Sequence, residues 1–374
     1  MPLRVLHVVF SLDAGGMENG VVNLSNGLSP EEFEFHACCL ARSGEFVRRF
    51  RNPERVRVLG KKEGFSLGTV GALSRHIREV SPDIIHTHNL GPLIYTALAG
   101  PFAPILHGEH AELTASELAP HRLLIRRLLY RRVRRVHTVS HSLRDSLIRH
   151  GLPAGRIEVV RNGVDTSRFL PGSRDEARRE TGLPAGAMVL GLVGRFGAFK
   201  RHAELIAAFE QLAGGNPNLA LLFVGGGGPL EADVRQRAGA SPFAQRIHFA
   251  GFQIDPLPWI RSLDLLVLPS VNEGLSNALL EAMACGVPAL AHTACGNSEA
   301  IEDSVNGFIR DLGTPDRMRD ALEGVLAGAA TLPELGRAAR LTIEKRFGFG
   351  GMAEGYRGLY LGLMHREPRL HVPS

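Results

Sequence analysis

The chain has 374 residues, 44% hydrophobic and 22% charged. This balance excludes disordered and fibrous classes and fits a globular protein of two domains at ~150 residues each. Lysine and arginine outnumber aspartate and glutamate only 43 to 38, but the excess is concentrated in His121 to His137, HRLLIRRLLYRRVRRVH, which has seven arginines and no acidic residue.

The first element, LRVLHVVFSL, is short, carries a histidine and runs into a glycine pair rather than a cleavage site. It reads as a buried strand and not as a secretory leader. A glycine turn and MENGVVNLSNGL, with apolar positions at helical spacing, complete a strand–loop–helix unit. Further strands are expected at FEFHACCL, RVRVL, DIIHTH, PILHGE and VHTVS, and helices at 68–80, 91–99, 120–134 and 141–150. The segment RNGVDTSRFLPGSRDEARRETGLPAG breaks this rhythm and is read as the interdomain connection. A second series of strands follows at MVLGLVG, LALLFVGG, RIHFAG, LDLLVLP and VPALAHT. The alternation predicts an α/β fold of two Rossmann-like, doubly wound parallel-sheet domains facing across a cleft. Their expected bounds are 1–165 and 166–350, with a C-terminal helix at 351–374 packing back towards the first domain. No apolar run approaches the ~20 residues of a membrane span. Cys38, Cys39, Cys285 and Cys295 form no CxxC pair and read as reduced core thiols, which places the chain in the cytosol.

Ligands bind beyond the carboxyl ends of the strands in such sheets, so the candidate residues are those at strand ends. Gly15 and Gly16, between a strand and a helix, suit an anion such as a diphosphate, with a plain tight turn as the alternative. The full GxGxxG is absent, which disfavours a dinucleotide. Arg195 and Lys200 in VGRFGAFKR place two cations on one loop, suited to a diphosphate leaving group or merely to a solvated surface. In LPSVNEGLSNALLEAMACGVP, Glu273 precedes a helix that Ser276 or Asn277 could cap, and Glu281 lies within it. Helix N–H groups there would face a phosphate while the carboxylates accept from sugar or ribose hydroxyls; surface glutamates are the alternative. His86, His88, His107 and His110, with Glu109 near, raise a metal reading. No third ligand at fixed spacing is evident, so substrate orientation by His110 is preferred and no metal is expected. GxSxG, HExxH and P-loop motifs are missing. The basic stretch at 121–137 reads as an amphipathic helix for an anionic lipid surface or as a solvated face; without interleaved aromatics it is not read as a nucleic-acid site.

Taken in order, GGME, the Ser140 segment running on to RNGVDTSRF, GRFGAFK, VGGGGPL, EGLSNALLE and CGNSEAI resemble the retaining glycosyltransferases of family 4, over nearly the whole chain. The resemblance implies the GT-B fold and a nucleotide-diphosphate sugar, UDP- or GDP-linked, as donor, with no further cofactor. It implies that Glu273 lies near the donor sugar, that Glu281 holds the ribose, and that Arg195 and Lys200 take the diphosphate. The amides of Gly274, Leu275, Ser276 and Asn277 would then contact sugar or phosphate, Gly16 would lie under the phosphates, and His110 would face the reacting sugar. The pattern departs from the family at Cys295-Gly296 and at VGGGGP. GGMENGVVNL, PDIIHTHNL and LHGEH look like sugar transferases of bacterial exopolysaccharide and exosortase loci, which implies a glycan or lipid-linked acceptor. A metal-independent, front-face transfer with retention is expected. The alternatives are a non-catalytic nucleotide-sugar or polysaccharide-binding component, a nucleotide-sugar epimerase and, on fold analogy alone, a dinucleotide oxidoreductase.

Overall fold

In a computed structural model, residues 1–100, 103–293 and 296–364 are described. They form two units: residues 1–139, 144–160 and 352–364 in the first, and residues 140–143 and 161–351 in the second. The last helix therefore groups with the first unit from Met352 onward, while 365–374 and Cys295 lie outside the described residues.

The first unit contains β1 (Leu3–Val9), α1 (Gly16–Gly27), β2 (Phe33–Cys39), β3 (Val56–Val58), α2 (Leu67–Val80), β4 (Ile84–His88), α3 (Leu90–Ala99), β5 (Ile105–Glu109), α4 (Pro120–Tyr130), β6 (Arg135–Thr138), α5 (His141–Arg149, shared with the second unit) and β7 (Ile157–Val159). The seven strands pair in parallel in the order β3-β2-β1-β4-β5-β6-β7. Every residue of β4 and β5 is buried, as helices on both faces of a parallel sheet require. Strand order reverses between β1 and β4, which makes the loops after them the natural ligand edge.

The second unit contains α6 (Arg174–Thr181), β8 (Met188–Val193), α7 (His202–Ala213), β9 (Leu219–Val224), α8 (Glu231–Gly239), β10 (Ile247–Gly251), α9 (Leu257–Arg261), β11 (Leu265–Leu268), α10 (Asn277–Ala284), β12 (Ala289–His292), β13 (Phe308–Arg310), α11 (Pro315–Ala327) and α12 (Leu332–Arg346); α13 (Phe349–Met364) returns the chain to the first unit. Its six strands run parallel in the order β10-β9-β8-β11-β12-β13, with the reversal between β8 and β11. Leu190, Leu192, Phe209, Leu221, Phe223 and Val267 are fully buried in its core. The segment read as a connection is not structureless. Ser173 caps α6 by accepting from the Glu176 amide at 3.2 Å, and buried Arg178 donates to Asp264 at 2.6 Å, anchoring the helix in this unit.

The basic stretch also departs from expectation. The helix stops at Tyr130 instead of running on to 134, because the Arg134 amide donates to the Ile105 carbonyl at 2.8 Å and the following residues pair with β5. Pairing with the sheet overrides helical propensity there.

Candidate functional site

In the second unit, the loops after β8 and β11 carry the predicted donor residues and are tied together where the Val271 amide donates to the Phe199 carbonyl at 3.1 Å. Arg195 is exposed on the first loop, whereas Lys200 is buried and pairs with the carboxylate of half-buried Glu273 on the second. The glycines of VGGGGPL let the loop after β9 approach the loop after β8. Gly225 has φ +141, and a Cβ on it would stand 2.2 Å from the Gly194 carbonyl oxygen.

Gly274, Leu275 and Ser276 are buried and lead into α10. Ser276 is the N-cap, its hydroxyl accepting from the Leu279 amide at 3.4 Å. The Ser276 amide donates to Asn297 Oδ1 at 3.1 Å, so one of the four backbone donors expected to face a ligand is already committed. The Leu275 carbonyl accepts from Asn162 at 2.8 Å. Asn277 opens the helix and Glu281 lies half-buried one turn further on.

Sequence reasoning assigned no part to Asn162, Asn297 or Glu299. Asn297 is fully buried, and its Nδ2 is buried without a partner. Glu299 accepts from the Ser142 amide at 2.9 Å. The available signal was a polar run, GNSE, just after a predicted strand.

His202, at the start of α7, stacks on Phe196 with ring centroids 4.4 Å apart, and burial together with the Lys200 charge pushes its pKa down to about 3. The folded ring stays neutral where the unfolded chain takes up a proton near 6.5, so stability is lost as pH falls from 6.5 towards 3 and is unaffected above 6.5. For this residue the loss is about 1.4 kcal/mol per pH unit. Denaturant melts at pH 7.5, 6 and 5 should therefore show a shallower acid loss in His202→Leu, by about one proton. An unchanged slope would remove His202 as its source.

In the first unit, Gly15 caps α1 and Gly16 is its first residue. The Glu18 carboxylate comes within 2.2 Å of where a Cβ on Gly15 would lie.

The histidines form two groups set by register. His7 pairs with His86, and His88, Gly108 and His137 lie in register across β4, β5 and β6. Strand alternation therefore places His7, His86, His88 and His137 on one sheet face and Thr87, His107 and Glu109 on the other. On the first face, His88 Nδ1 is 2.9 Å from His110 Nε2, His88 Nε2 is 2.9 Å from His7 Nδ1, and the Nε2 atoms of His86 and His137 are 2.8 Å apart. Tyr360 and Tyr356 of α13 reach His86 and His137 at 2.8 and 3.4 Å. Burial, reinforced by neighbouring imidazoles, holds His86, His88 and His137 well below the usual histidine range, and burial lowers His110 to about 4. His7 and His137 are contributed by other strands, which local spacing does not reveal.

On the opposite face, buried Glu109 accepts from Arg126 Nε at 2.9 Å and from Tyr130 at 2.7 Å, with His107 Nε2 at 3.2 Å. Burial raises its pKa, but the His107 hydrogen bond and the Arg126 charge outweigh that and hold it well below the usual carboxylate range. Arg126 is thus an internal counter-ion and not a surface charge of the basic stretch. The thiols of Cys39 and Cys285 are pushed up to about 12 by burial and are inert. Among the described residues no helix is long and apolar enough to cross a membrane.

Comparison with known proteins places both halves. The model described as Glycosyltransferase Family 4 matches residues 14–168, and that described as Glycosyl transferases group 1 matches residues 173–342. A D-inositol 3-phosphate glycosyltransferase of Catenulispora acidiphila is 30% identical over 312 residues, covering 78% of this chain and 69% of the relative. A 2-deoxystreptamine N-acetyl-D-glucosaminyltransferase of Streptomyces fradiae is 29% identical over 387 residues, covering 92% and 89%. Among solved structures, Anabaena HepE in complex with UDP and glucose superposes with a TM-score of 0.84 at 21% identity, covering 96% of this chain and 99% of that one. Sucrose-phosphate synthase from Thermosynechococcus elongatus gives 0.80 at 22%, covering 97% and 99%. The chain belongs to the family 4 glycosyltransferases and is built on two Rossmann-like parallel-sheet units of the GT-B type.

Proposed function

We propose that this glycosyltransferase moves a sugar, with retention of configuration, from a UDP- or GDP-sugar to a glycan or lipid-linked acceptor of a surface polysaccharide. The observation that carries the reading is the pair of buried Lys200 with half-buried Glu273 at the β8/β11 reversal, directly before the N-terminus of α10. A cation and a helix N-terminus side by side are what a departing diphosphate requires. In this reading Lys200 and Arg195 neutralise the leaving diphosphate, and the amides of Gly274, Leu275 and Asn277 add hydrogen bonds. Glu273, held by Lys200, accepts from sugar hydroxyls, and Glu281 accepts from the ribose. From the N-terminal unit we assign His110 to the reacting sugar and Gly15 and Gly16 to the donor phosphates. No side chain serves as nucleophile; the leaving phosphate takes the acceptor's proton, and no metal takes part in the donor chemistry. The UDP and UDP-glucose complexes of HepE favour a uridine donor.

A panel of UDP- and GDP-sugars read by mass spectrometry should give release of nucleoside diphosphate with a glycosylated product for one donor, and Glu281→Ala should raise the KM for that donor. Tight nucleoside diphosphate binding without transfer from any donor would reduce the chain to a binding component. Release of an isomerised sugar would make it an epimerase.

For a lipid-linked acceptor we look to α4. Leu124, Ile125 and Leu128 are exposed there beside exposed Arg122, Arg131 and Arg132, a composition suited to an anionic lipid surface. With buried free thiols, this fits the cytosolic side of a membrane. Sedimentation with anionic vesicles should weaken at high salt and in Leu124→Ser/Leu128→Ser; no sedimentation at low salt would remove the idea.

A further inference from the structure

We propose that the histidine face of the N-terminal unit binds a divalent transition cation, with His88, His110 and His137 as ligands and His86 beside them. One candidate ligand atom from each of His88, His110 and His137 lies within 4.8 Å of the other two. Nitrogens around a tetrahedral zinc stand ~3.3 Å apart for bonds of ~2.0–2.1 Å, so side-chain rotations of about an ångström complete the set.

Three further observations support it. First, Gly108 lies in register between His88 and His137 and presents no side chain. A Cβ on it would stand 2.5 Å from His137 Nε2 and 2.8 Å from His110 Nε2, so both nitrogens turn to a point that the backbone leaves open. Second, the outward nitrogens are backed. His88 Nε2 meets His7 Nδ1 at 2.9 Å, His86 Nδ1 meets the Tyr360 hydroxyl at 2.8 Å, and His137 Nδ1 meets the Tyr356 hydroxyl at 3.4 Å. This is the outer support that ligating imidazoles use to fix their tautomer. Third, His110 is only half-buried and offers a way in, whereas His86, His88 and His137 are buried.

An all-imidazole donor set selects the zinc, cobalt or nickel class over magnesium or calcium, which take oxygen ligands. Without the ion, the four rings pair through N–H···N bonds; with it, the N–H groups of His88, His86 and His137 point outward to His7 and the tyrosines. The site belongs to the N-terminal unit and takes only Nε2 of His110, leaving its Nδ1 for the reacting sugar, so the metal proposal and the donor reading stand or fall separately.

The test uses the untagged full chain, stripped with chelator and titrated with Co2+, followed by Zn2+ competition. One equivalent of cobalt should give visible d–d bands of a low-coordinate site, displaced stoichiometrically by zinc. His137→Gln and His110→Ala should weaken zinc binding about 100-fold or more, and Tyr356→Phe, behind His137, about 10-fold, while the exposed-residue control His121→Ala should bind as the parent does. If His137→Gln does not fold, His110→Ala, changed at the half-exposed ligand, decides alone. Absence of the cobalt bands, or zinc affinity unchanged in His110→Ala, would show adventitious surface coordination only and overturn the proposal.

Discussion

Arg126→Met is expected to destabilise the N-terminal unit by about 3–5 kcal/mol, the cost of leaving a buried charge without its partner. The guanidinium is fully buried and bridges Glu109, at 2.9 Å, and Glu117, at 3.1 Å. Without it, Glu109 retains Tyr130 and His107 but loses its cation, and burial then pushes its pKa upward. Denaturant midpoints at constant m-value measure the loss. Glu109→Gln/Arg126→Met should cost less than the sum of the two single changes, since each single change already breaks the pair. Arg122 and Arg132, exposed on the same stretch, should change stability by no more than about 0.5 kcal/mol when replaced by alanine. If Arg126→Met were equally silent, the stretch would be a uniform charged surface and the internal ion pair would be wrong.

Lys200→Met is expected to lower kcat/KM for sugar transfer by about 100- to 1,000-fold, or about 2.7–4 kcal/mol of transition-state stabilisation. Charge on the diphosphate grows as the glycosidic bond breaks, so kcat should fall more than KM rises. Lys200→Arg should not restore the rate. The Lys200 stem runs along Gly194, where even an added Cβ would meet its Cε at 3.1 Å, and a broad planar guanidinium does not reproduce the compact ammonium paired with Glu273. A change confined to KM would limit Lys200 to ground-state binding. Unchanged kinetics would make the pair with Glu273 purely structural.

Much of this molecule was legible in its sequence because strand and helix patterns are local. The runs MVLGLV and LALLFV read as buried strands, and are, since parallel strands covered on both faces must be apolar throughout. The three-residue edge strands β7 and β13 carry charged residues and gave no such signal. The ordered series of motifs identified the family, but roles that depend on register stayed hidden. Nothing local to His86 and His88 announces His7 or His137, because those residues arrive by strand pairing. Arg126 looked like one of seven equivalent arginines, and only the fold turns it inward to Glu109. The commitment of the Ser276 amide to Asn297 likewise depends on a side chain 21 positions away.

In the proposed function the nucleotide donor is held in the C-terminal unit by the Arg195–Lys200 loop and the Glu273–Glu281 segment. Hydrogen–deuterium exchange of the whole chain, with and without saturating UDP and, separately, GDP, tests this directly. Protection should appear in peptides spanning 194–200 and 271–284 with one of the two nucleotides, and should weaken in Lys200→Met. No protection there with either nucleotide, or protection confined to the N-terminal unit, would rule out a donor site in the C-terminal unit.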